Sequence, residues 1–313
     1  MTTMDWIDWL LAAPTPTIRY LTLTDLLARP AEDAEVRRAR RAIMTDGPVP
    51  AILAEQSPEG HWEPEQSYYT PKYVSTHWSM MLLAELHADP TDARIRRGAT
   101  YMLDKAAASL ARWQAEEETG FSCLWGNILR YALPAAADDP RLPMFVDYAI
   151  HDLQSGHCRC KINSGLACAW GLVRTLWGLA IIPATARSPQ LQAAIAGAVE
   201  FLLADHSLAA ANYPVPDGGK IHSLWFKLNF PLFYQTDILF TLRTLGEFDA
   251  LDHPGAQPAL DRLAGQRGKN GRWRGSSPYR SRTWSALGDA EEIQRWVTLQ
   301  AAHILKQAGR LEV

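Results

Sequence analysis

The sequence predicts an all-α fold assembled from stacked helical hairpins. Three observations predict it. Apolar residues recur at the 3.6-residue helical period along almost the whole chain, and no segment alternates like a strand. A turn with a polar residue, a glycine and an aromatic, followed by an apolar helix, recurs at Gly60, Gly120, Gly156, Gly219 and Gly271. The mean spacing is about 50 residues, the length of a helical-hairpin repeat with inserted loops. The 313 residues are 47% hydrophobic, enough for one large core. A hairpin cannot bury its apolar face alone; stacked neighbours do so, and closing the stack into a ring removes both ends.

The helices follow in order. Trp6 to Ala12 is stopped by Pro14 and Pro16. Ile18, Leu21, Leu23, Leu26 and Leu27 mark a second helix, Glu32 to Met44 a third and Val49 to Gln56 a fourth. Helices are predicted from Tyr73 to His87, Asp92 to Ser109, Phe121 to Leu133, Arg141 to Leu153, Ser164 to Ile181 and Leu191 to His206. A long loop, Ser207 to Pro231, precedes Leu232 to Leu245; Pro258 to Gln266 and Glu291 to Gln307 complete the set. At each junction a Gln is placed to bond backbone groups left over at helix ends, Gly supplies a positive φ, and Trp covers the joint.

Composition narrows the function. Net charge is -3, so nothing draws the chain as a whole to nucleic acid. The basic run Arg37, Arg38, Arg40, Arg41 is matched by Glu32, Asp33 and Glu35 at helical steps and reads as a solvated face. The N-terminal residues lack a basic n-region, and no apolar run reaches the roughly 20 residues of a membrane helix. Peripheral membrane contact remains open. Four cysteines in this length do not make a disulfide scaffold, which points to a reducing, cytoplasmic setting with available thiols.

Two junctions carry a resemblance. Gln56-Ser-Pro-Glu-Gly60-His-Trp62 fits the pattern Q-x3-G-x-W, and Gln266 to Trp273 fits it with one extra residue. The chain resembles, over roughly residues 48–308, the squalene cyclase and prenyltransferase-like proteins with QW repeats. That resemblance implies an α/α toroid of about five to six hairpins around a central cavity, with residues 48–313 forming the ring. Residues 1–47 are then expected to complete the ring or pack on it. It also implies a hydrophobic, often isoprenoid, substrate. The family's catalytic motifs do not carry over. There is no D-x-D-D acid, Asp138-Asp139-Pro-Arg-Leu lacks the last aspartate of D-D-x-x-D, and the zinc-ligating D-x-C is absent. The chain has the length of one toroid, where triterpene cyclases carry two helical domains.

In such a ring functional groups belong in the first turns of the inner helices. Asp237 and His77 are the candidate catalytic pair, with Tyr234 orienting Asp237; a carboxyl buried mid-helix is a potential proton donor. The competing readings are an Asp237 paired with Arg174 or Arg243, and a structural histidine. Trp78, Trp125, Asn127, Tyr131, Trp170 and Trp296 are candidate substrate contacts through π faces or an amide, or else core packing. Cys123, Cys158, Cys160 and Cys168 are candidates for tetrahedral zinc, for a nucleophile or redox pair, or for close packing. The basic loop Arg267 to Arg282 is either an anion site or a solvated loop.

The leading expectation is a terpene cyclase-like enzyme, an isomerase or lyase, performing acid–base cyclisation or isomerisation of an isoprenoid-like molecule. The alternatives are a zinc- or thiol-dependent transferase or lyase on the same fold, and a non-catalytic ligand- or peptide-binding toroid.

Overall fold

The computed structural model describes residues 4–63, 65–116 and 120–313. Among the described residues the regular structure is entirely helical, with two isolated bridges, Arg159 to Ala167 and Asn229 to Ser276. Thirteen α-helices are described: α1 Met4–Leu11, α2 Pro16–Leu21, α3 Ala34–Thr45, α4 Pro48–Ala54, α5 Thr76–Glu85, α6 Ala93–Ala115, α7 Ser122–Ala135, α8 Leu142–Gln154, α9 Ala169–Leu179, α10 Pro189–Glu200, α11 Ile238–Gly246, α12 Gln257–Gly265 and α13 Ala290–Gln307. α2 and α10 each run on into a π-helical turn, Thr22–Leu26 and Phe201–Asp205. No described helix is long and apolar enough to cross a membrane.

Helix starts are set by side-chain caps. Asp33, Asp92, Ser188, Asp237 and Asp289 each accept a hydrogen bond from an amide of the following first turn. Prolines open α2, α4, α8, α10 and α12, where a missing N–H costs nothing.

Two kinds of helix alternate along the chain. In α5, α9 and α11 nearly every side chain is buried. In α3, α6, α10 and α12 only one face is. The buried helices touch in series: α5 lies on α7, α7 on α9, α9 on α11, α11 on α13, and α13 on α2. A bond from the Thr17 hydroxyl to the Leu86 carbonyl (2.7 Å) joins α2 to the end of α5. The half-buried helices bridge consecutive members, α6 touching α5 and α7, and α12 touching α11 and α13.

The closest pair is α7 with α9, and glycine makes it possible. A Cβ on Gly178 would stand 2.1 Å from the Gly126 carbonyl oxygen, and one on Gly126 would stand 2.4 Å from that of Arg174. Only bare backbone fits.

The two aromatic junctions are the same device built twice. The Trp62 indole N–H donates to Ile52 O (2.8 Å), ten residues back, and the Trp273 indole to Leu263 O (2.7 Å), also ten back. The Trp62 amide donates to Thr76 Oγ1 (3.0 Å), and that hydroxyl returns a bond to Trp62 O. Trp273 and Thr298 repeat this pair of bonds. Gln56 donates to Gly60 O (3.0 Å) and to Arg94 O. At the second junction the side chain that reaches the glycine carbonyl is Arg267, on Gly271 O (3.3 Å). The register is therefore Arg267-x3-Gly271-x-Trp273, with the spacing of Gln56-x3-Gly60-x-Trp62 and no extra residue.

Several boundaries differ from the sequence reading. α9 begins at Ala169 rather than Ser164, because Lys161–Asn163 forms a 3-10 turn closed by Ser164 in the left-handed region. α11 begins at Ile238 rather than Leu232, because Asp237 caps it. The junction read at Gln114 to Gly120 falls partly on residues 117–119, outside the described residues.

Candidate functional site

One cavity of about 380 Å³ collects most of the chemistry. The starts of α7 and α9, the 3-10 turn at 161–163, the approach to α5 and the long loop between α10 and α11 form its wall. Three of the four cysteines, Cys123, Cys160 and Cys168, open onto it. Tyr69, Trp170, Tyr213, Tyr234 and Phe121 supply aromatic surface, and Lys72, Lys220 and His222 its remaining polar groups beside Asn163.

The three thiols are not equivalent. Residues 157–168 fold back on themselves through the Arg159 to Ala167 bridge, the Cys160 amide on Leu166 O (3.1 Å) and the Gly165 amide on Cys160 O (2.9 Å). This places the Cys160 sulfur against the Cys168 thiol and the backbone amides of Ile162, Asn163 and Phe121. The Cys168 hydrogen bond first, then those amides, holds the Cys160 thiol below the usual thiol range. The same contact, with burial, pushes Cys168 well up. Burial pushes Cys123 up to about 12, and the neighbouring Cys160 charge adds to this. Burial and the sulfur–sulfur contact thus lower Cys160 and raise Cys168 and Cys123.

Cys158 does not join them. His157 and Cys158 both take positive φ, 56° and 59°, which turns the Cys158 side chain into the core. There it is fully buried beside Thr175 Oγ1 (3.7 Å). Burial first, then the Asp152 carboxyl, keeps it a thiol. The four-thiol zinc site therefore does not form. Among the described residues no three His, Cys, Asp or Glu side chains are placed to hold a metal ion together.

Asp237 is not mid-helix and does not face the cavity. Its Oδ1 accepts from the Phe240 amide (2.8 Å), and its Oδ2 from the amide (2.8 Å) and side chain (2.7 Å) of Asn229. Burial still pushes its carboxyl up to about 6. Its hydrogen-bond partner is Asn229 rather than Arg174 or Arg243. Arg243 bonds Glu85 instead (3.2 Å). Tyr234 lines the cavity, away from any bond to Asp237.

His77 lies behind the cavity wall, its ring stacked 6.0 Å from Tyr69 and its Nδ1 3.3 Å from the Tyr131 hydroxyl. Burial, helped by the Arg174 charge, pushes it down to about 3, so it is a neutral imidazole. Its Nε2 meets no partner among the described residues.

Of the proposed substrate contacts only Trp170 lines this cavity. Trp78 is fully buried, its N–H on Tyr69 O (2.7 Å). Trp125 packs on Trp113, Phe145 and Tyr148, toward α6 and α8. Asn127 is buried and donates to Phe233 O (3.4 Å). Trp296 stacks on Phe230 at 4.3 Å and borders a separate cavity with Glu85, Arg130, Arg243 and His303. The basic loop disperses: Arg267 and Arg272 lie over Trp6 and Trp9, and Arg282 over Tyr73.

The residues missed were Tyr69, Lys72, Tyr213 and His222. All lie in segments without helical period, where sequence offered only composition.

Compared with known proteins, the chain matches no family model, and no curated protein or solved structure is significantly similar to it.

Proposed function

We propose that the protein is an α/α toroid that performs thiol-dependent chemistry on a hydrophobic small molecule, as a transferase or lyase. The observation that carries this reading is the convergence of Cys123, Cys160 and Cys168 on one aromatic cavity. The toroid is supported by the serial contacts from α5 round to α13 and α2, and by the repeated tryptophan junctions. A ring of this kind collects inner-helix starts at one rim, where this cavity lies.

In the reaction, the Cys160 sulfur forms a C–S bond with an electrophilic carbon of the ligand. Cys168 gives its proton to the atom that gains the displaced electron pair. In a transferase the C–S bond then breaks as the bound group passes to an acceptor, whose displaced proton returns to Cys168; in a lyase it breaks by elimination, which leaves a double bond in the product, frees the Cys160 thiolate and returns the proton lost from the adjacent carbon to Cys168. Backbone amides around Cys160 stabilise its charge before attack, as in other activated thiols. The terpene cyclase-like acid–base reading has weaker support, since Asp237 and His77 stand behind the wall.

Limited treatment with iodoacetamide followed by peptide mass spectrometry tests the reading. Cys160 is expected to be alkylated first, and farnesol, as a neutral hydrophobic probe, to protect it. If Cys123 or Cys168 reacts as fast as Cys160, the assignment is wrong.

A further inference from the structure

The charge of the cavity wall points to the class of ligand. The wall carries the ammonium groups of Lys72 and Lys220 and, among the described residues, no aspartate or glutamate. Among the described residues the wall therefore presents two cations and no carboxylate. Lys72 is half-buried, and its Nζ lies 4.5 Å from the Tyr234 ring centroid and 5.1 Å from that of Tyr69. No carboxylate pairs with it among the described residues. A lysine held on two aromatic faces, without a counter-ion, keeps its charge available to an entering anion.

A second cation lies beneath. Arg174 is fully buried on α9, one turn below Trp170 and Gly171 of the wall. Its Nε and Nη2 donate to Gln235 O (3.2 and 2.7 Å), and its guanidinium lies 3.8 Å over the Phe240 ring. Its Nη1 meets no partner among the described residues. A buried guanidinium without a carboxylate is expensive and raises the local potential over several ångströms of low-dielectric interior. Its charge is felt at the Cys123 thiol on the wall. Asp237 and Glu85, the carboxylates whose charges act on Arg174, are engaged by Asn229 and Arg243.

We propose that this cavity takes an amphipathic organic anion, its apolar body against Trp170, Tyr213 and Tyr234 and its carboxylate or phosphate head at Lys72. The inference rests on the same cavity as the thiol reading and adds the charge of the ligand. Recognition is then of two kinds. Apolar area supplies affinity, and the uncompensated positive field selects against neutral and cationic molecules of the same shape.

Calorimetric titration with four probes of one chain length tests it: decanoate, decyl phosphate, decan-1-ol and decylamine. At least one anion is expected to bind about tenfold more tightly than decanol, and decylamine to bind least. Whichever anion is tighter identifies the head group. Added salt is expected to weaken the anion and leave decanol unchanged. Lys72→Gln should remove most of the preference without changing decanol binding, and Lys72→Arg should restore it. Decanol or decylamine binding as tightly as both anions overturns the proposal. So does an unchanged preference in Lys72→Gln. Alkylation of Cys160 by neutral iodoacetamide does not depend on ligand charge, so the thiol reading stands or falls separately.

Discussion

Asp152 gives a test with a worked magnitude. It sits on α8 at 1% exposure and is hydrogen-bonded to the Ser122 hydroxyl and the Cys158 thiol, while its Oδ1 has no partner among the described residues. Burial pushes its carboxyl from the ordinary aspartate value of 3.8 up to about 6. Between those values the folded protein keeps a proton that the unfolded chain has released. Stability therefore falls as pH rises through this window and stays lower above it. The shift of 6 − 3.8, about two units at about 1.4 kcal/mol each, amounts to roughly 3 kcal/mol. Asp152→Asn keeps the shape and removes the ionisation. Relative to wild type, the variant should gain up to about 3 kcal/mol between about pH 4 and pH 8. Urea unfolding followed by tryptophan fluorescence, run on both proteins across that range, measures the difference; carboxylates common to both cancel. A difference that stays constant with pH, or wild type gaining on the variant as pH rises, would refute the account of Asp152 as a buried, underbonded acid.

Other outcomes follow from the same geometry. The alkylation rate of Cys160 should be nearly flat above neutrality, whereas an ordinary thiol rises roughly tenfold per pH unit up to about 8.5; a tenfold rise at Cys160, read by mass spectrometry, contradicts the lowered thiol. Thr76→Val and Thr298→Val each strand the buried amide and carbonyl of a tryptophan, and each should cost about 2–4 kcal/mol in urea unfolding; a loss at only one would deny that the junctions are equivalent. Gly178→Ala forces a methyl onto the Gly126 carbonyl and should cost about 3 kcal/mol. Gly197→Ala, which meets nothing within 4 Å on half-exposed α10, should instead be neutral or stabilising by up to about 1 kcal/mol; equal effects on melting would remove the packing argument.

The helices were legible because burial of one face leaves a period in the sequence. The predicted segments match all thirteen helices within a few residues, with the exceptions at α6, α9 and α11. The error at α11 has a chemical cause. Leu232 to Leu245 reads as one apolar run, yet the Asp237 carboxylate accepts from the Phe240 amide as a cap and from the Asn229 amide of the preceding loop, so the helix starts only at Ile238. A mid-helix acid and a capping acid look alike in sequence when both neighbours are apolar. The second junction misled for a related reason. Gln266 matched the motif in letters, but Arg267 matched it in space, and only the carbonyl it reaches distinguishes them.

The cavity was partly legible, and what was hidden is the more instructive part. Cys123, Cys160, Cys168, Trp170 and Tyr234 were all marked, because position at a helix start is a sequence property. Their division of labour was not. Three things separate Cys158, Cys160 and Cys168: two consecutive left-handed residues that send Cys158 inward, a 3-10 turn that aims amides at Cys160, and a cap position that fixes Cys168 on the Gly171 amide. Each is a backbone decision made by non-glycine residues, His157 and Cys158 among them, that carry no strong preference for it. The same holds for Lys72. Its neighbours in sequence mark a polar loop, and its importance comes from two rings, Tyr69 three residues before it and Tyr234 far along the chain. Chemistry here depends on which dipoles and charges point at a sulfur. That information is created by the fold, so substitutions in the 157–168 turn that leave every cysteine in place should still change which of them reacts.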